Sequence, residues 1–138
     1  MKTLAEVTRA TGFEVLEHLE AETEVPVLDG LQAQGDLAVI PIAAPGPGRG
    51  GGGQTVPPAG IAVIEAVGGG HEHRLFAGVP GTAFWRPASP GGQSIGILEA
   101  TEPAYLLHPE HGAAGLAPGT YELRRQREQA DEERLVAD

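Results

Sequence analysis

AFWRPASPGGQSIGILEATEPAYLLH, residues 83–108, contains three short apolar segments separated by two stretches that favour turns. The apolar segments are AFWRP, SIGILEA and AYLLH, and the stretches between them are ASPGGQ and TEP. Apolar segments of this length, bounded by Gly, Pro and small polar residues, are typical of β-strands and too short for most buried helices. This part of the chain therefore predicts three consecutive strands.

The same alternation of strands and turns extends to both sides of this stretch. QGDLAVIPIA at 34–43 begins at a Gly-Asp turn, and IAVIEAV at 61–67 and HEHRLFAG at 71–78 are two further strand candidates. GLAPGTYELRRQRE at 115–128 predicts a turn and a final strand. We therefore predict an all-β fold, a single small antiparallel barrel or sandwich of about six to eight strands with a short N-terminal helical segment.

The length of 138 residues suits one domain with its own apolar core. We predict an N-terminal helical segment at 1–24, a β domain at 25–128 and a charged C-terminal tail at 129–138. Within the β domain, PGPGRGGGGQTVPPAG at 45–60 is so rich in Gly and Pro that we expect a long loop instead of a strand.

The N-terminal segment has apolar residues at helical spacing. Leu4 and Val7 lie three residues apart, as do Leu16 and Leu19, and Gly12 lies between the two pairs. We expect one or two short helices packed across the mouth of the β domain, with a partner-binding helix as the alternative. His18 is isolated in this segment and is interpreted as a surface residue.

The balance of charges argues against two classes of partner. Nine Lys and Arg against nineteen Asp and Glu give a formal net charge of −10. Such a surface repels phosphate backbones and anionic lipids, so we expect neither a nucleic-acid partner nor a membrane partner.

The absence of cysteine excludes disulfides, thiolate metal sites and cysteine nucleophiles. The N-terminal residues lack the apolar core of a secretory signal, and no apolar run approaches the roughly 20 residues of a membrane span. We expect a cytoplasmic protein.

Four of the five histidines fall in two tight motifs. In an extended HEHRL segment, His71 and His73 point to the same face and Glu72 to the other. The second motif, HPEH, places His108 and His111 around Glu110. Imidazole is a common ligand of first-row divalent metals, so two such motifs on neighbouring strands would form a metal site. The carboxylates of both motifs are candidate further ligands or acid–base groups.

We therefore predict a divalent-metal site, and these ligands do not distinguish zinc, iron(II), nickel and manganese. Surface histidines at separate strand ends and a metal-free polar pocket stay open as alternatives. We expect no nucleotide and no haem; the Gly-rich loop is not followed by Lys-Ser or Lys-Thr and does not open a helix, so no phosphate-binding loop is present.

Common hydrolase motifs are missing from the chain. HEHRL lacks the spacing of the zinc-protease helix, and no Gly-x-Ser-x-Gly sequence occurs. A metal site with open positions would permit hydrolytic or oxygen-activating chemistry, but no residue identifies a substrate, so enzymatic activity is left unassigned. The alternative function is a non-catalytic structural or interaction module in a homo-oligomer or a phage-like particle.

The HEH motif and the later LAPGTYEL resemble cupins, small β-barrels that hold a metal with two His from one strand, a Glu and a third His. The resemblance implies ligand roles only for His71 and His73. Residues 75–78 lack the Glu that the first cupin motif carries, and His108 and His111 precede the Pro-Gly of the second motif instead of following it.

A closer resemblance covers residues 34–138 and points to an uncharacterised family of small bacterial and phage proteins. The shared elements are a Gly-Asp strand at 35–36, Gly-His-x-His at 70–73, His-x-x-His at 108–111, Pro-Gly-Thr-Tyr at 118–121, Arg-Gln-Arg-Glu at 125–128 and the terminal LVAD. The chain departs from the pattern at Gln129, where a tyrosine is expected. The resemblance implies no established activity, but it includes both histidine motifs and so favours a metal site or polar pocket.

Overall fold

A computed structural model describes residues 2–11, 25–43, 53–64, 72–89, 92–110 and 112–125. These residues form one helix and eleven strands. In chain order the elements are α1 (Leu4–Thr11), β1 (Val27–Leu28), β2 (Gln32–Gln34), β3 (Leu37–Pro41), β4 (Gln54–Thr55), β5 (Ile61–Ile64), β6 (His73–Ala77), β7 (Ala83–Pro87), β8 (Ser94–Ala100), β9 (Ala104–His108), β10 (Gly112–Leu116) and β11 (Gly119–Arg125).

The strands are arranged in two sheets. The first sheet has the order β1-β10-β9-β6-β5 and the second has the order β2-β3-β11-β8-β7-β4. Neighbouring strands are antiparallel except β1 and β10, which are parallel. The sheets are not closed on one another, so the all-β prediction is confirmed and the sandwich, not the barrel, is the alternative found. The closed barrel that the cupin resemblance implies is not formed.

The apolar core lies between the two sheets. Alternate residues of each strand point inward, so Leu75 and Leu106 of the first sheet pack with Leu98 and Leu123 of the second, and all four are fully buried. Trp85 of β7 joins this core. Burial of these side chains is the main force that holds the two sheets together.

Helix α1 covers the outer face of the first sheet. Leu4 and Val7 pack against Phe76, Tyr105 and Leu107, so β9 is buried on both faces. The helix therefore lies on a sheet face and not across the mouth of a barrel, which is a correction to the expected placement. The predicted continuation at 12–24 lies outside the described residues.

The start of α1 is fixed by its capping residues. Thr3 Oγ1 accepts a hydrogen bond from the backbone N–H of Glu6 at 3.1 Å, and the Thr3 hydroxyl lies 3.3 Å from Glu6 Oε1. This arrangement satisfies a backbone donor that the first turn of a helix leaves without a partner. Within the described part of the chain, no helix is long and apolar enough to cross a membrane.

The connection from β10 to β11 carries the chain from the first sheet to the second. Its sequence is LAPGTY, and the Tyr121 hydroxyl donates a 2.7 Å hydrogen bond to the carbonyl of Ala117, four residues upstream. This tyrosine corner is a feature of β-sandwiches, where it fixes the crossing between sheets.

One segment differs from its predicted loop structure. Gln54 and Thr55, inside the Gly/Pro-rich stretch, form β4 and pair with Trp85 and Phe84 of β7, and Val56 is buried in the core. These three residues contain neither Gly nor Pro, and Thr and Val favour extended backbone. The rest of that stretch up to residue 52 and the tail from residue 126 lie outside the described residues.

Candidate functional site

The fold brings one histidine of each motif next to the other. In the antiparallel pair of β6 and β9, Arg74 lies opposite Leu107, so the next step of the register places His73 beside His108. Their ring centroids are 4.5 Å apart and the rings are tilted by 43°. Both rings are buried on the inner face of the first sheet, at one end of the sandwich.

Both nitrogens of the His73 ring have partners from the second sheet. His73 Nδ1 lies 2.9 Å from Gln34 Oε1, and His73 Nε2 lies 3.0 Å from Asp36 Oδ1. Gln34 ends β2, and Asp36 follows it in the two-residue β2–β3 turn, where Gly35 adopts a φ of +60° that glycine accommodates without strain. The hairpin thus places an amide and a carboxylate on either side of one imidazole.

The orientation of the Gln34 amide determines which atom donates to His73. Gln34 Nε2 donates to the backbone carbonyls of Leu106 at 2.9 Å and Gly112 at 3.2 Å. The amide oxygen therefore faces His73, and because this oxygen only accepts, His73 Nδ1 carries a proton. Gln34 joins the two sheets through three hydrogen bonds and fixes the tautomer of His73.

The second nitrogen of His73 faces a carboxylate. Asp36 is 53% exposed while His73 is 2% exposed, so the carboxylate connects the buried ring to solvent. An ionised carboxylate only accepts hydrogen bonds. The 3.0 Å contact is satisfied either by a proton shared between Nε2 and the carboxylate or by a metal ion that binds both atoms.

His108 has a different hydrogen-bonding state. The backbone N–H of Glu110 donates to His108 Nδ1 at 3.1 Å across the turn that follows β9. A neutral ring with Nδ1 as acceptor carries its proton on Nε2. In this arrangement neither nitrogen of His108 offers a lone pair to a metal, although the sequence predicts a ligand there.

The two predicted carboxylate assistants lie apart from His73. Glu72 Oε2 accepts a 2.6 Å hydrogen bond from Arg74 Nε, and Arg74 also donates to the carbonyls of Ala59 and Gly60. Glu110 is exposed and meets His108 through its backbone N–H. Among the described residues, no group of three or more His, Asp or Glu side chains has metal-binding geometry.

Two predicted ligands, His71 and His111, lie outside the described residues, as does His18. Sequence reasoning interpreted Asp36 as turn chemistry and did not identify Gln34 as a site residue. The sequence does contain a signal for Gln34: it is a polar residue at the last position of a strand, directly before a tight Gly-Asp turn. The described cluster therefore consists of Gln34, Asp36, His73 and His108, which we call the histidine cluster.

Residues 33–126 match the model of a family described as a domain of unknown function, DUF8820. The match covers more than half of the chain and spans both histidine motifs and the β2–β3 turn. No curated protein and no solved structure matches the chain.

Proposed function

The chain belongs to the DUF8820 family, and we propose that it binds a divalent metal ion between His73 and Asp36. The observation that carries this proposal is the 3.0 Å separation of His73 Nε2 and Asp36 Oδ1. Two adjacent ligand atoms in octahedral coordination, each about 2.1 Å from the metal, lie about 3.0 Å apart, and the tetrahedral angle typical of zinc gives about 3.4 Å. The pair therefore has the spacing of two adjacent ligands.

The partner of the other His73 nitrogen supports the same role. Metal-binding histidines usually donate their second N–H to a carboxylate, a carbonyl or water, which directs the remaining lone pair at the metal. Gln34 Oε1 accepts the Nδ1 proton of His73 at 2.9 Å and is itself held by two backbone carbonyls. This arrangement leaves Nε2 as the ligand atom.

The remaining ligands are assigned from the sequence to His71 and His111, two residues before His73 and three after His108. His108 joins them only if the hydrogen bond from the Glu110 N–H to its Nδ1 is broken. Zinc, iron(II), nickel and manganese all accept imidazole and carboxylate ligands. Positions left open on the ion would permit hydrolytic or oxygen-activating chemistry.

Metal analysis of protein purified without an affinity tag, followed by calorimetric titration with each of the four metals, tests the proposal. We expect about one ion per chain and weaker binding as the pH is lowered, because protons compete with the metal for imidazole and carboxylate ligands. His73→Ala should abolish retention, and Asp36→Asn should weaken binding by about 100-fold.

Asp29→Asn is the matched control, since Asp29 is exposed in the β1–β2 connection and lies outside the histidine cluster. It should bind as the wild type does. A wild-type protein that takes up none of the four metals after reconstitution would refute the proposal.

A second candidate function is a non-catalytic interaction module. The observation that favours it is an apolar patch beside β1, the edge strand of the first sheet, where Leu28 is 48% and Leu31 is 72% exposed. Exposed strand edges with apolar side chains pair readily with another chain. The resemblance to small phage proteins fits such a module in a homo-oligomer or particle.

A further inference from the structure

A cavity of about 150 Å³ lies between α1 and the outer face of the first sheet. Its walls come from the start of the helix, the buried strands β6 and β9, and the connections after β4 and β6. The lining residues are Lys2, Val7, Val56, Pro57, Pro58, Phe76, Ala77, Gly78, Pro80 and Tyr105. All except Lys2 and Tyr105 present apolar groups or glycine, so the cavity has an apolar wall with two polar side chains.

The two polar side chains lie next to each other. Lys2 Nζ is 6.0 Å from the centroid of the Tyr105 ring and 3.4 Å from the carbonyl oxygen of Gly78. Lys2 is the only lysine in the sequence. The cavity therefore carries a concentrated positive charge at one place on its wall, on a protein whose net charge is −10.

The Tyr105 hydroxyl is available as a donor. Tyr105 is 5% exposed, and its hydroxyl makes no hydrogen bond with any residue that the structure describes. Burial, and to a smaller extent the negative charge of Glu6, raises the pKa of Tyr105, so the phenol keeps its proton at neutral pH. Among the described residues no buried side-chain oxygen or nitrogen lacks a partner, so the Tyr105 oxygen is reached by solvent, although most of the side chain is buried. A ligand in the cavity that Tyr105 lines can therefore accept its proton.

We propose that this cavity binds a small organic anion, a carboxylate with an aromatic or alicyclic body of about six carbons. An apolar cavity of about 150 Å³ accommodates a molecule of the size of benzene. The carboxylate would accept hydrogen bonds from Lys2 and Tyr105, and the ring would pack against Val7, Val56 and Phe76. The Glu6 carboxylate hydrogen-bonds Thr3 and makes no ion pair with Lys2, but its negative charge acts on Tyr105, so the Lys2 charge has to outweigh it for an anion to bind.

This site is independent of the metal proposal. Phe76 and Tyr105 point to the outer face of the first sheet, whereas Leu75 and Leu106, beside the histidine cluster, point to the inner face. The two sites are thus on opposite sides of one sheet. Loss of binding at either one leaves the other testable.

Titration of ¹⁵N-labelled protein with benzoate, cyclohexanecarboxylate and the neutral benzyl alcohol tests the proposal. We expect saturable shifts of the backbone amides of Phe76, Gly78 and Tyr105 with both carboxylates, and weaker binding of the alcohol. Lys2→Gln should weaken the binding of both carboxylates by about tenfold, as expected for loss of one charged hydrogen bond. The affinity for the alcohol should stay unchanged. Tyr105→Phe should weaken the binding of both carboxylates by a smaller factor.

Arg125→Gln removes the same charge from the exposed end of β11 and should change nothing. Thermal unfolding of each variant establishes that it is folded. The proposal is overturned if neither carboxylate shifts these amides in the wild type, or if Lys2→Gln weakens benzoate and benzyl alcohol equally.

Discussion

At the scale of single residues, Gln34 holds the histidine cluster together. Its amide nitrogen donates to two carbonyls of the first sheet, and its oxygen accepts from His73. Removal of this side chain therefore takes one hydrogen-bond partner from each of three groups in the first sheet, the Leu106 and Gly112 carbonyls and the His73 ring. Such groups cost free energy because water no longer reaches them.

We expect Gln34→Ala to lower the free energy of unfolding by about 2–3 kcal/mol. Gln32→Ala is the matched control on the same strand, because Gln32 is only half-buried and donates to Gly115 at 3.0 Å. It should cost less than about 1 kcal/mol. Urea unfolding of both variants measures the difference, and equal losses would show that the buried amide has no special role.

The candidate site was only partly predictable at this scale. The alternation of side chains in a strand placed His73 on one face, and the neighbouring positions of β6 and β9 bring His108 next to it. Asp36 and Gln34 reach His73 from the other sheet, across 37 and 39 residues of sequence. Spacing along the chain contains no information about such contacts, because they depend on how the two sheets stack.

At the scale of elements, Tyr121 links the β10–β11 connection to the strand that follows. Its hydroxyl donates to the Ala117 carbonyl at 2.7 Å, whereas the Tyr105 hydroxyl makes no hydrogen bond with the described residues. We expect Tyr121→Phe to lower the free energy of unfolding by about 1–2 kcal/mol and Tyr105→Phe by less than about 0.5 kcal/mol. If urea unfolding shows equal losses of unfolding free energy for the two variants, the hydrogen bond from Tyr121 to Ala117 has no special role in stability.

The same tyrosine gives the protein a defined response to alkaline pH. Burial, and then the negative charge of Asp29, raises the pKa of Tyr121. The folded protein therefore holds the phenol proton more tightly than the unfolded chain. The stabilisation that follows from this difference is present in full below about pH 10, the pKa of an unfolded tyrosine, and is lost as the pH rises through the raised pKa of the folded state. Tyr121→Phe should flatten the decline in unfolding free energy measured above about pH 10.

The strands themselves were largely predictable. AFWRP, SIGILEA and AYLLH became β7, β8 and β9 with the same bounds, because each apolar run is closed on both sides by residues that favour turns. The eleven strands exceed the expected six to eight because β1, β2, β4 and β10 were not predicted. Two of these, β1 and β4, have only two residues each. Each contains too few residues for a periodic pattern, and pairing with β10 and β7 is what makes each of them a strand.

At the scale of the whole molecule, composition predicted an all-β domain but did not separate a barrel from a sandwich. That distinction depends on whether the edge strands pair with each other, which local sequence does not encode. In the structure, β1 and β5 end one sheet and β2 and β4 end the other. Four strand edges are therefore present among the described residues, and edges are where another chain would add.

The edge at β1 leads to a prediction about self-association. Leu28 and Leu31 expose apolar side chains there, and β1 has only two residues paired with β10. If the protein is an assembly module, burial of these leucines against a second copy contributes apolar contact area. The double variant Leu28→Ser with Leu31→Ser should then weaken self-association by about tenfold or more, because full burial of a leucine side chain contributes about 1.5–3 kcal/mol.

Light scattering over a range of protein concentrations measures this effect. Val79→Ser is the control, since Val79 is also exposed but lies on the β6–β7 connection, away from β1 in the sheet order. This variant should leave the average molar mass measured at each protein concentration unchanged. A wild-type protein that stays monomeric at every concentration would count against the assembly module, and the metal and carboxylate sites, which each need only one chain, would be unaffected.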